Sequence, residues 1–142
     1  MNILNKKETK KIQETIKEQF DVDFEFKDIV LKNKEDKIFL LSKDFAKTDI
    51  KSRINSIGLY FGKLQNGKIR LTIEGSQLVK GNKNVVDIKD DEVMKWLKGE
   101  ELRTEQDLKG FVIIRNKDYY FGCGEVKEGR ILNYVGKDRR IK

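Results

Sequence analysis

The sequence predicts an α+β protein, and three observations carry that prediction. Near the N-terminus Ile12, Ile16 and Phe20 recur at every fourth position, the spacing of one buried helical face. In mid-chain Asn66-Gly67 separates two apolar-rich runs, the strongest short-range hairpin signal, because both residues tolerate positive φ. Further on, a second amphipathic stretch stops at Lys98-Gly99 and is followed by two β-rich runs, 111–115 and 119–126.

Taken in order, the chain opens with a helix expected over 6–19. The alternation of acidic and apolar residues at 21–26 predicts a strand, and 28–31 with 37–41 a hairpin around Asn33-Lys34-Glu35-Asp36. Residues 43–54 read as a turn and a short helix. The runs flanking Asn66-Gly67, 57–63 and 68–73, form the second hairpin, with Gly58 and Gly62 marking a bulge or the close approach of another backbone. A short helix over 73–80 leads to Gly81-Asn82-Lys83-Asn84, the best boundary in the chain, which divides it into an N-terminal α/β unit, 1–82, and a C-terminal unit, 83–142. A short strand over 85–88 then reaches Asp90 and Asp91, expected to cap a helix over 92–98 whose apolar face is Val93, Trp96 and Leu97. The polar turn Asn116-Lys117-Asp118 separates the two C-terminal strands.

Composition excludes several chemistries. A chain of 142 residues can bury one respectable core or two small ones and leaves little room for a separate catalytic domain. It has one cysteine and no histidine, which rules out an internal disulfide, a cysteine-built zinc site, and Ser-His-Asp or Cys-His catalysis. No metal or other cofactor is expected. Cys123, between Gly122 and Gly124, reads as a small buried hydrophobe. No apolar run approaches the roughly 20 residues that cross a bilayer, and the first 20 residues lack a signal-peptide core, so the expectation is a cytoplasmic protein with no membrane partner.

The net charge of +7 is concentrated. Residues 53–80 carry Arg53, Lys63, Lys68, Arg70 and Lys80 against Glu74 alone, and residues 127–142 carry six bases against Glu128 and Asp138. Each segment is +4, so the two together exceed the whole surplus. Such a distribution suits either a footprint for a polyanion or a surface kept soluble by lysine. Within the tail, Arg130, Lys137, Arg139 and Arg140 offer phosphate-binding charge, Asn133 can read or buttress a polar edge, and Tyr134 can stack on an unpaired base or close the fold. Lys63 and Arg70 project along the mid-chain β-ribbon. Gly99 both ends its helix and removes bulk where a phosphate or base could approach backbone N–H groups.

The stretch from Val93-Met94-Lys95-Trp96-Leu97-Lys98-Gly99-Glu100-Glu101-Leu102, through Phe121-Gly122-Cys123-Gly124, to Gly129-Arg130-Ile131-Leu132-Asn133-Tyr134 resembles the PUA domain. It is most similar to the PUA-like tail of the Sun family of RNA 5-methylcytosine methyltransferases. The run from Gly58 to Val79 also resembles the segment before the PUA core in that family and in a PUA-containing ribosome-biogenesis factor. The resemblance implies a PUA-like mixed β-barrel, partly open and flanked by short helices, in which Lys98 and Gly99 belong to a loop lying against RNA. It implies a stand-alone, non-enzymatic RNA-binding protein acting on structured tRNA or rRNA in RNA modification or ribosome assembly. An RNA-modifying enzyme or a pre-ribosomal protein would be its protein partner. Two other classes stay open: an accessory relic of an RNA methyltransferase, against which stands the lack of a glycine-rich nucleotide loop and of a cysteine pair, and a protein-interaction adaptor whose basic faces meet an acidic partner.

Overall fold

The computed structural model describes residues 1–43 and 58–142. Most of the turn and short helix expected over 43–54 lies outside the described residues. What is described is a mixed α/β fold of two five-stranded sheets with three α-helices. The first sheet has the order β1 (Asn2–Ile3), β2 (Ile29–Lys32), β3 (Lys37–Leu41), β4 (Leu59–Gln65) and β5 (Lys68–Leu71), all antiparallel neighbours. The second comprises β6 (Val85–Asp87), β8 (Gly110–Asn116), β9 (Tyr119–Lys127), β10 (Arg130–Asn133) and β7 (Leu102–Arg103), in that spatial order. Its only parallel pair among the described residues is β6 with β8, and the sheet curls as a half-barrel.

Local chemistry explains most of these elements. Helix α1 (Lys6–Phe20) starts in a capping box: the Asn5 side chain accepts from the Glu8 N–H at 2.8 Å and the Glu8 carboxylate from the Asn5 N–H at 3.0 Å. Its stripe Ile12, Ile16 and Phe20 is buried against the first sheet. The hairpin of β4 and β5 turns on Asn66 at φ 52° and Gly67 at φ 75°, the pair of positive values that a two-residue turn of this hand requires. The expected close approach occurs at Gly62, where an added Cβ would stand 2.8 Å from the Arg70 carbonyl, beside a shift of register between β3 and β4.

Two expectations are corrected. Residues 21–26 pair with no strand; Phe24 and Phe26 instead turn inward onto Phe61, with centroids 5.5 and 5.2 Å away, so the alternation recorded aromatic packing and not a ladder. Helix α3 (Asp90–Leu97) begins two residues earlier than expected, at Asp90: Lys89 is the capping position, and its N–H donates to the Glu92 carboxylate at 2.9 Å. Asp90 and Asp91 therefore sit in the first turn, where the helix dipole favours them. Asp90 is further engaged by Asn116 and Lys117.

Helix α2 (Ile73–Val79) joins the sheets. Thr72 caps it, accepting from the Gly75 N–H at 3.0 Å and donating to the Tyr60 carbonyl at 2.6 Å. Buried Ser76 accepts from the Gly122 N–H of β9 at 2.9 Å, and Gly75 lies so close to the Phe61 carbonyl that no side chain fits between them. The core around α1 accordingly includes Ile113 and Cys123 from the second sheet, while a second core gathers Trp96, Val112, Ile114, Val126 and Ile131. Burial pushes the Cys123 thiol up to about 12, and its sulfur accepts from the Leu71 N–H, so it packs as a neutral side chain.

Gly75→Ala should destabilise the protein by about 2–3 kcal/mol, because the methyl group must push apart α2 and β4; urea denaturation measures it. A second expectation concerns acid. Hydrogen bonds from Arg115 hold the Asp87 carboxyl below the ordinary range, and Asn116 followed by Lys117 does the same for Asp90. Groups with depressed folded values stabilise above the unfolded pKa of about 3.9 and lose that contribution as pH falls through the folded one. Stability should therefore decline as pH drops below about 4, and less steeply in the Asp87→Asn variant.

Candidate nucleic-acid interface

The candidate interface is built on Trp96. Its side chain is wholly buried, its indole N–H donates to the Phe121 carbonyl at 2.9 Å, and its ring lies over Gly124, where a Cβ would stand 2.7 Å from it. This fixes the end of α3 against β9 and β10. The chain then leaves the helix through Gly99 at φ 92°, whose N–H returns to the Trp96 carbonyl at 2.9 Å. Asn133 clamps the exit: its amide donates to the carbonyls of Trp96 and Glu100 at 2.8 and 2.9 Å, and its oxygen accepts from the Val135 N–H at 2.7 Å. Of the two roles open to Asn133, it takes that of buttress.

The C-terminal segment comes back to the same place. The Ile141 N–H donates to the Leu97 carbonyl at 2.9 Å, and the Arg140 Nε to the Val135 carbonyl at 3.0 Å. A Cβ on Gly99 would stand 2.7 Å from the guanidinium carbon of Arg140, so the absence of a side chain there admits the arginine. The glycine exit of α3 and the basic tail are thus one surface.

Pairing within that surface sorts the expected cations. Arg130 donates to both carboxylate oxygens of Glu101 at 2.9 Å, and both side chains are about half exposed. An exposed pair of this kind is worth under about 1 kcal/mol and opens readily for a competing phosphate. Arg139, in the 3₁₀ turn Lys137–Arg139, is held by Glu74 of α2, which raises its pKa further. The side chains of Lys98 and Lys137 have no hydrogen bond or ion pair among the described residues. Tyr134 is partly exposed, donates to Glu125 at 2.6 Å, and has one ring face covered by Arg70, 4.0 Å from its centroid. Burial and then Glu125 push its phenol upward, so it remains a neutral donor. Lys63 and Arg70 lie on the first sheet, and Arg70 meets this surface at Tyr134.

Register adds two residues that the sequence reading missed. Arg130 of β10 lies directly opposite Arg103 of β7 on one side and Lys127 of β9 on the other. Directly opposed residues share a face, so the three cations stand abreast, on the side away from buried Ile131, Leu102 and Val126. Arg103 and Lys127 have no side-chain partner among the described residues. Nothing local marks them: they are far apart in sequence, and only strand pairing aligns them.

With this geometry in place, comparison finds a likeness for the C-terminal residues. Residues 83–141 match the family model described as the methyltransferase RsmF PUA domain. These residues are thus similar to a PUA domain and resemble the C-terminal region of Sun-family methyltransferases; PUA domains in general bind RNA. No curated protein matches the chain. Among the described residues, no helix is long and apolar enough to cross a membrane.

Asn133→Ala would leave two carbonyls and one N–H of the α3 exit without their partner. The expected cost is about 1–3 kcal/mol, with faster amide exchange at Gly99 and Glu100 than in the wild type. Urea denaturation and hydrogen exchange measure the two effects.

Proposed function

We propose that this protein is a stand-alone RNA-binding protein that holds structured tRNA or rRNA during RNA modification or ribosome assembly, without catalysing a reaction itself. The observation that carries the proposal is the union of the glycine exit of α3 with the basic tail on a PUA-like frame. Lys98, Lys137, Arg103 and Lys127 supply cations free to meet phosphate, and Arg130 can exchange Glu101 for it. Arg139 and Arg140 hold the tail in position, and their remaining donors extend the same contact. The Gly99 turn makes room for the Arg140 side chain, which brings a guanidinium to the helix exit. A rigid, shaped surface suits folded RNA, whose helices are recognised more by geometry and backbone than by base edges.

In this reading residues 83–142 act as the RNA-binding unit and residues 1–82 as its supporting unit. The protein works in the cytoplasm and brings its RNA to a modifying enzyme or a pre-ribosomal particle.

The test is a salt titration of binding to a tRNA transcript, a ribosomal RNA hairpin and heparin, for the wild type and for Lys98→Gln/Arg103→Gln/Lys137→Gln. The wild type should keep a preference for one RNA over heparin as salt rises. The triple variant should lose about tenfold or more in affinity, and the slope of log K on log salt should fall by about 1 for each phosphate contact removed. Equal affinity for the two proteins, or equal binding of heparin and both RNAs, overturns the reading.

A further inference from the structure

The first sheet carries a second row of cations. Lys63 of β4 lies directly opposite Lys37 of β3 and, on its other side, Arg70 of β5. The three share one face, and with adjacent strands about 4.8 Å apart they cover about 10 Å of surface. That face is the one away from buried Ile69 and Leu71. Like charges placed directly opposite destabilise a sheet. Among the described residues the only carboxylate in an ion pair with any of the three is Glu35, 3.5 Å from Lys37.

Aromatic rings lie among these cations. Phe39 and Tyr60 stack with centroids 5.3 Å apart and planes 27° apart, and the Lys37 ammonium is 5.5 Å from the Tyr60 centroid. Arg70 covers Tyr134, which carries the strip across to the second sheet. Between Tyr60 and Tyr134 a cleft of about 250 Å³ opens, walled by Thr72, Glu74 and Arg139. The cations and rings thus extend from β3 to Tyr134, beside a cleft that Asp138 also lines.

We infer that this strip binds single-stranded RNA continuing from the structured RNA held by the PUA-like unit, with Lys37, Lys63 and Arg70 on the phosphates and Phe39 and Tyr60 stacking on unpaired bases. Cations spaced along a surface with ring faces among them are what a single strand needs, since every base presents a π-face and every nucleotide a phosphate. Opposed cations one strand apart suit the regularly repeated phosphates of a nucleic-acid backbone, a repeat that an acidic protein surface does not supply. The inference rests on the RNA-binding reading above, and places a flanking segment of the same RNA on the N-terminal sheet.

The experiment measures binding by fluorescence anisotropy with three probes: the blunt RNA hairpin, the same hairpin with a single-stranded extension of about ten nucleotides on either end, and the single strand alone. For the wild type, one of the two extended hairpins should bind about tenfold or more tighter than the blunt one. In Lys37→Gln/Lys63→Gln the gain should vanish while affinity for the blunt hairpin stays as it was, and the salt slope for the extended probe should fall by about 1.4. Removing opposed like charges should leave the unfolding temperature equal or higher, so lost binding is not lost folding. Tyr60→Leu, which keeps the cations, should lose most of the gain as well. An extension that adds nothing on either end, or a gain that survives the double variant, overturns the inference and leaves the hairpin reading intact. Binding of the single strand alone, lost in the double variant, with no binding of the blunt hairpin, would sink the hairpin reading and keep the strip.

Discussion

The structure depends first on how Trp96 is seated. Placing a large amphipathic ring at the centre of the second core requires space and a hydrogen-bond acceptor; Gly124 supplies the first and the Phe121 carbonyl the second. Both come from β9, so the tryptophan ties α3 to one strand at two points. Replacing a buried ring of this size by alanine generally costs about 3–5 kcal/mol. The consequence for function is geometric, because the same seating brings the Trp96 carbonyl within reach of Asn133 and sets where Gly99 lets the chain turn. The tail then folds over a glycine that leaves it room.

The second constraint is the junction between the sheets. Helix α2 is short, yet it contributes a hydroxyl to β9 through Ser76, a glycine to the backbone of β4 through Gly75, and a carboxylate to the tail through Glu74. Gln19 completes the join from the other side, exchanging hydrogen bonds with the Ile69 backbone at 2.6 and 3.1 Å while its own carbonyl accepts from Asn84. Buried polar groups that are fully paired in this way specify one arrangement in preference to others. The cation rows on the two sheets are accordingly held in a fixed relation, which is what recognition of a shaped ligand needs.

How much of this was legible in the sequence follows from how local each signal is. The Asn66-Gly67 turn, the stripe on α1 and the glycine stop after α3 are written in neighbouring residues and appear where expected. Strands β1 and β7 are two residues long and owe their existence to a partner, so no periodicity announces them. The stretch 21–26 shows the reverse case: its alternation is real, but Phe61 was available as an aromatic partner and no strand was available as a ladder. For the site, the residue types in the tail pointed to a polyanion, while the division of labour among them did not. Asn133 and Arg140 hold the surface together, Arg130 and Arg139 are paired with carboxylates, and Arg103 and Lys127 join only through strand register.

The central claim is that the glycine exit of α3 and the basic tail act as one surface for RNA. Amide chemical-shift mapping during titration with a structured RNA tests it most directly. The account predicts that Gly99, Glu100, Arg103, Lys127, Arg130 and the amides of 137–140 shift together along a single saturation curve. Shifts confined to one of the two segments, or lying wholly outside both, would contradict it.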